Sequence, residues 1–214
     1  MKAYETLRLI EETGVVAILR KTTEDEALHT AEALAKAGIT AIEVTFNTPG
    51  ADRIIAAIAA RFTGSLLPGA GTVTTPAQAL RAKESGAQFI LAPNSDEAVI
   101  RTVQQFGLPM IPGAFTPSEI VQCAKLGCSL IKIFPVSSVG PQYIKDLKGP
   151  LDSLSFLPFG GVDLMNTPLF IKAGATAVGV GSSLIQKELL ARGDYAALTD
   201  LAKRYLDAVA SARS

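Results

Sequence analysis

Along the chain, amphipathic stretches that end at glycine alternate with short runs that are apolar on both faces. Four instances are Ala37-Gly38 before Ala41-Ile42-Glu43-Val44, Ser85-Gly86 before Phe89-Ile90-Leu91, Leu126-Gly127 before Leu130-Ile131-Lys132-Ile133, and Ala173-Gly174 before Ala177-Val178-Gly179-Val180. Each glycine falls where the residue after a helix needs a positive φ, and the short two-sided runs suit strands of a covered parallel sheet. Helix starts repeat too. Thr75-Pro76-Ala77-Gln78 and Thr116-Pro117-Ser118-Glu119 each place a capping Thr, Pro at the first helical position and Gln or Glu at the third. Thr23 with Glu26 and Asn94 with Glu97 give two further capping boxes.

The pattern predicts strands near 14–19, 40–46, 66–72, 88–92, 109–114, 129–134, 154–159 and 176–180, each followed by a helix. An extra helix is expected at 3–12, and a long last one near 194–211 carries the stripe Leu198, Leu201, Ala202, Tyr205, Leu206 and Val209. Eight βα units without a break in composition imply a closed (β/α)₈ barrel, an α/β fold, spanning 1–214 as a single domain. An open doubly wound sheet is the alternative. Its usual G-x-G-x-x-G after the first strand is absent, because Leu19 and Arg20 lead into Lys21-Thr22-Thr23.

Composition narrows the function. With 214 residues, 48% hydrophobic and 19% charged, and with Lys+Arg and Asp+Glu balanced at 20 each, the chain has a core and no large basic footprint for nucleic acid. A local anion site stays compatible with zero net charge. Cys123 and Cys128, with one histidine in the chain, make neither a disulfide framework nor a metal constellation, and read as buried reduced thiols. The segment Met1-Lys2-Ala3-Tyr4-Glu5 carries an early acid and no apolar core of a signal peptide, and no run of about 18 apolar residues would span a membrane. A soluble, cytoplasmic protein is expected.

In a barrel the chemistry sits at the C-terminal ends of the strands, so polar residues within apolar runs are informative. Only Glu43 and Lys132 are ionisable inside a predicted strand. Period-two alternation puts Leu130, Lys132 and Phe134 on the inner face with Ala41, Glu43 and Thr45, and leaves Ile131, Ile133, Ile42, Val44 and Phe46 for the helix layer. One reading is a structural ion pair tying strands two and six. The other starts from protonation: an ordinary lysine is only about 0.04% neutral at pH 7. Burial can lower its pKa by about three units and make a Schiff-base nucleophile, with Glu43 as proton shuttle.

The glycine-rich ends of strands seven and eight, Phe159-Gly160-Gly161-Val162 and Gly179-Val180-Gly181-Ser182-Ser183, stand where this fold recurrently binds phosphate, the second opening a helix. Gly69-Ala70-Gly71-Thr72 closes strand three with the Thr72 hydroxyl toward the mouth, although turn chemistry explains that segment equally. Arg20 ends strand one, as a bidentate carboxylate ligand or a solvated strand-end arginine. His29 lies in the helix after strand one and receives no function.

At these residues the sequence resembles the 2-keto-3-deoxy-6-phosphogluconate aldolase / 4-hydroxy-2-oxoglutarate aldolase family and its sister 2-keto-3-deoxy-6-phosphogalactonate aldolases. The matching segments are Val15-Val16-Ala17-Ile18-Leu19-Arg20, Glu43-Val44-Thr45, Gly69-Ala70-Gly71-Thr72-Val73, Leu91-Ala92-Pro93-Asn94, Ile131-Lys132-Ile133-Phe134-Pro135, Gly160-Gly161-Val162 and Gly181-Ser182. The resemblance implies a class I pyruvate aldolase (a lyase of Entner–Doudoroff-type carbohydrate metabolism) on a (β/α)₈ barrel, a homotrimer needing no metal or other cofactor. It implies Lys132 as Schiff-base former and Glu43 as proton acceptor and donor. Thr72, Pro93 and Phe134 become substrate contacts, and Gly160, Gly161, Gly181 and Ser182 the phosphate cradle. The implied reaction cleaves a 2-keto-3-deoxy-6-phospho sugar acid of the gluconate type to pyruvate and D-glyceraldehyde 3-phosphate. Galactonate-type and unphosphorylated 4-hydroxy-2-oxoglutarate substrates are the alternatives. More distant ones are a phosphosugar isomerase or epimerase, or a non-catalytic phosphosugar-binding module.

Two substrate positions depart from the gluconate pattern. Asn47 stands where that branch has a carboxylate-binding arginine; the galactonate branch has asparagine there and an arginine ending strand one, as Arg20 does. Phe159 replaces the threonine or valine that precedes the glycine pair in the two branches and sits where the C4 hydroxyl is read.

Overall fold

The computed structural model describes residues 3–214. Met1 and Lys2, which begin the segment read above for a signal peptide, lie outside the described residues. Strands β1 (Val15–Leu19), β2 (Ala41–Thr45), β3 (Leu67–Gly71), β4 (Phe89–Leu91), β5 (Met110–Ile111), β6 (Gly113–Ala114), β7 (Leu130–Ile133), β8 (Ser155–Pro158) and β9 (Val178–Val180) alternate with helices through most of the chain. The helices are α1 (Ala3–Thr13), α2 (Glu24–Ala37), α3 (Ala51–Arg61), α4 (Pro76–Glu84), α5 (Glu97–Gln105), α6 (Pro117–Lys125), α7 (Gly140–Lys148), α8 (Thr167–Lys172), α9 (Lys187–Ala191) and α10 (Tyr195–Arg213).

The local signals act as their chemistry requires. Thr23 and Thr116 form complete capping boxes with Glu26 and Glu119, and the Thr75 hydroxyl accepts from the Gln78 amide. Gly38, Gly86, Gly127 and Gly174 all take positive φ, between 83° and 102°. The Asn94–Glu97 box does not form. Asp96 caps α5 instead, its carboxylate accepting from the Val99 amide, so Glu97 is the first helical residue and stands too early to close a box.

The strands make two parallel sheets, of order β5-β4-β3-β2-β1-β9 and β6-β7-β8. The single strand expected over 109–114 is divided at Pro112. Proline offers no N–H to a ladder; its carbonyl accepts from the Lys132 amide at 2.9 Å, so the chain leaves β4 for β7 at this residue. On the other flank Phe159 and Gly179 form an isolated parallel bridge, and the Thr176 amide bonds to the Phe156 carbonyl at 2.9 Å.

Two apolar clusters follow from the alternation. The larger lies between sheets and helices and takes Ile42, Val44, Ile131 and Ile133. The smaller draws Val16, Ala41, Leu67, Phe89, Ile111, Leu130 and Leu157 from strands of both sheets, with Ile10 of α1 packed among them. Both sheets therefore turn one face to a shared interior, closed at one end by α1. On α10 the apolar stripe is buried at Leu198, Ala202, Tyr205 and Val209 and half-buried at Leu201 and Leu206. Both cysteines are free and buried, and burial pushes the Cys123 thiol up to about 11 and the Cys128 thiol up to about 12. No helix of the described residues is long and apolar enough to cross a membrane.

Candidate active site

Glu43 and Lys132 meet inside the shared interior. Glu43 is 0% exposed and Lys132 5%, and Lys132 Nζ lies 3.9 Å from Glu43 Oε1. That separation is too long for a direct hydrogen bond, yet one oxygen at about 2.8 Å from each atom would bridge them. Among the described residues, neither carboxylate oxygen of Glu43 has a hydrogen-bond partner. Burial acts on both groups in the direction that neutralises them. It lowers the proton affinity of Lys132, opposed by the Glu43 charge, and raises that of Glu43, opposed by the Lys132 and Arg20 charges.

Small residues make the room. A Cβ on Gly71 would fall 1.6 Å from Glu43 Oε1, so only glycine there leaves the carboxylate its place. Beside Lys132 in the register stands Gly113, where a Cβ would meet the Pro93 carbonyl at 2.4 Å. The Phe159 ring is centred 4.1 Å from Lys132 Nζ and the Phe134 ring 5.3 Å, so the ammonium lies over two aromatic faces. Phe159 is buried and fits because Gly179 has no side chain; a Cβ there would lie 2.3 Å from the ring. The role of Gly71 and Gly179 as moulds was not read from the sequence. Along the chain each is only a glycine inside a predicted strand; the side chain that fills its space comes from another strand or strand end.

The other candidate positions surround this pair. Arg20 follows β1 on the face of Val16 and Ile18, which belong with the inner cluster, and its charge influences both Glu43 and Lys132. Asn47 is exposed in the turn after β2, and Pro93 is half-buried after β4. Thr72 is half-buried directly after β3, with φ +59°, a left-handed conformation uncommon for a residue with a side chain.

Gly160 and Gly161 have φ of +80° and +90°. Side chains at these positions would press on the Phe134 ring, at 3.1 Å, and on Ser137, at 2.7 Å. Asn166 holds the segment by donating to the Gly161 carbonyl at 2.8 Å. After β9, Gly181 and Ser182 do not open a helix as expected. The Gly181 carbonyl closes a single turn, accepting from the Leu184 and Ile185 amides at 3.0 and 2.9 Å. The Gln186 side chain then bonds the Ser183 carbonyl, and α9 begins only at Lys187. His29 lies away from this site and stacks on Tyr195, ring centroids 5.2 Å apart.

Parallel strands alternating with helices, with a lysine and a glutamate projecting from those strands into a common interior, define an α/β protein with an ionisable pair at its centre. Residues 7–201 match the family model described as aldolase, KDPG and KHG aldolase. The chain belongs to this family of aldehyde-lyases. It is 39% identical over 171 residues to the 2-dehydro-3-deoxy-6-phosphogalactonate aldolase of Escherichia coli K12, covering 79% of this chain and 83% of that one. A native KDPGal structure superposes with a TM-score of 0.86 at 35% identity, over 93% of this chain and 95% of that one. A KDPG aldolase from Legionella pneumophila, with pyruvate captured as a covalent carbinolamine intermediate, superposes with a TM-score of 0.83 at 28% identity, over 91% of this chain and 95% of that one.

Proposed function

We propose that this protein is a class I aldolase that cleaves a 2-keto-3-deoxy-6-phospho sugar acid to pyruvate and D-glyceraldehyde 3-phosphate through an imine at Lys132. The observation that carries the reading is the buried Lys132–Glu43 pair, 3.9 Å apart, in a chain of this family. Lys132 Nζ attacks the C2 ketone, and loss of water from the carbinolamine leaves an iminium. Glu43 takes the C4-hydroxyl proton through a bridging water, and the C3–C4 electron pair moves into the iminium as the aldehyde departs. The resulting enamine regains a proton at C3 from Glu43, and hydrolysis frees pyruvate and the amine. Phe134 and Phe159 set their rings over Nζ and against the substrate, and Arg20 receives the substrate carboxylate. Thr72, Pro93 and Asn47 line the substrate, and Gly160, Gly161, Gly181 and Ser182 take the phosphate by their backbone amides.

The same reading makes the two sheets one closed (β/α)₈ barrel over a single domain, 1–214, supported by the Pro112 crossover and the Phe159–Gly179 bridge. It makes the protein a cytoplasmic homotrimer that works without a metal or other cofactor. A preference for the galactonate C4 epimer is the second reading, favoured by Arg20 at the end of β1 and Asn47 after β2.

Incubation with pyruvate and borohydride, followed by peptide mapping, is expected to place a stable adduct on Lys132. An unlabelled Lys132 sinks the imine mechanism, and turnover of a ketose phosphate without borohydride sensitivity points to an isomerase. Rates on the two C4 epimers decide between the sugar acids. The pH dependence has a defined sign. Imine formation needs neutral amine, and burial lowers the Lys132 pKa from its ordinary 10.5. The trapping rate is therefore expected to rise with pH and level off below 10.5, and Arg20→Gln, which removes a second lowering influence, should move the inflection upward.

A further inference from the structure

The backbone on either side of Arg20 is held by two buried hydroxyls. Thr45, 0% exposed, donates its hydroxyl to the Leu19 carbonyl at 3.3 Å, and Thr48, 3% exposed, accepts from the Lys21 amide at 3.0 Å. The two hydroxyl oxygens lie 3.2 Å apart. A hydroxyl has one proton to give, and that of Thr45 is already given to Leu19, so Thr48 must donate to Thr45. The bonds then run in one direction, from the Lys21 N–H through Thr48 and Thr45 to the Leu19 carbonyl. The Leu19 carbonyl belongs to the peptide before Arg20 and the Lys21 N–H to the peptide after it. Both peptide planes flanking the Arg20 Cα are therefore fixed. The fixing has work to do, because Lys21 takes φ +53°, a left-handed conformation unfavourable for a residue with a Cβ.

We infer that Thr48, acting through Thr45, is a positioning residue that holds Arg20 in place to receive the substrate carboxylate. The inference rests on the reading of Arg20 given above. Nothing in the alternation pattern points to Thr48, which lies in a turn beyond β2; only the tertiary approach of two strand ends assembles the chain of hydroxyls.

The test measures the pyruvate concentration that half-saturates borohydride trapping at Lys132, a readout of carboxylate binding that involves no phosphate. Arg20→Gln is the reference and should raise that concentration. Thr48→Val orphans the Lys21 N–H and should raise it about tenfold with the limiting trapping rate within about twofold, whereas Thr48→Ser keeps the relay and should match the parent. Glycine adopts the left-handed turn without help, so Lys21→Gly added to Thr48→Val should recover most of the loss. An unchanged half-saturation in Thr48→Val alongside a raised one in Arg20→Gln overturns the positioning role. A Thr48→Val defect that lowers the limiting rate in parallel, with a fallen melting temperature and no recovery from Lys21→Gly, overturns it as well. An unchanged Arg20→Gln removes the carboxylate reading itself and the inference with it, while absence of trapping in the parent protein refutes the imine first.

Discussion

Lys132→Arg is expected to lower kcat by roughly four orders of magnitude or more, the scale on which loss of a covalent nucleophile acts in other enzymes. Arginine keeps the positive charge beside Glu43, so the buried carboxylate is not left alone, but a guanidinium stays protonated and cannot attack the ketone. The substitution thus separates the two readings of the pair. If the two residues only tie β2 to β7, the arginine variant should retain function; if the amine is the nucleophile, it should fold, fail to cleave and give no borohydride adduct. Cleavage within tenfold of the parent, measured by coupling pyruvate release to lactate dehydrogenase, would remove covalent catalysis from the account.

The second large effect is expected from one methyl group. In Gly71→Ala the new Cβ would stand 1.6 Å from Glu43 Oε1 and 2.3 Å from its Cδ. The backbone at 71 is not among the positive-φ positions, so the consequence is steric: the carboxylate must swing away. Displacing a reacting group by about 1 Å is worth about 10²-fold in rate, with overpacking costing about 1–3 kcal/mol of stability. Exchange of the pyruvate methyl protons in deuterated water, followed by NMR, should fall with kcat, because in the proposed mechanism both require Glu43 to move a proton. Gly64→Ala supplies the contrast. Gly64 has φ +83° and open space within 4 Å of where a Cβ would stand, so the alanine should lose about 1–2 kcal/mol to backbone strain and keep its activity. Full activity in a well-folded Gly71→Ala would mean that Glu43 is not the proton carrier.

The buried Glu43–Lys132 pair was legible in the sequence for an energetic reason. A charge in the middle of a two-sided apolar strand is costly, so Glu43 and Lys132 stood out against Ile42, Val44, Ile131 and Ile133, and alternation assigned their faces correctly. Helix starts and stops were legible because caps are local; the exception, at α5, arose because Asp96 competes with Asn94 within the same turn. What the sequence did not disclose depends on neighbours brought together by register. That Gly71 leaves space for Glu43, that Gly179 leaves space for Phe159, and that Thr48 meets Lys21 are contacts between strands or strand ends, invisible to a reading along one strand. At Pro112 the proline was visible along the chain, but not the division there, Met110–Ile111 pairing with β4 and Gly113–Ala114 with β7.

That division has a bearing on how the catalyst can be adjusted. Glu43 belongs to the six-stranded sheet and Lys132 to the three-stranded one, so the gap between them is a joint between two plates. The two sheets meet at two seams, the crossover at Pro112 and the Phe159–Gly179 bridge. Packing changes along those seams are expected to alter the spacing of carboxylate and amine together with the seating of the Phe159 ring over Nζ.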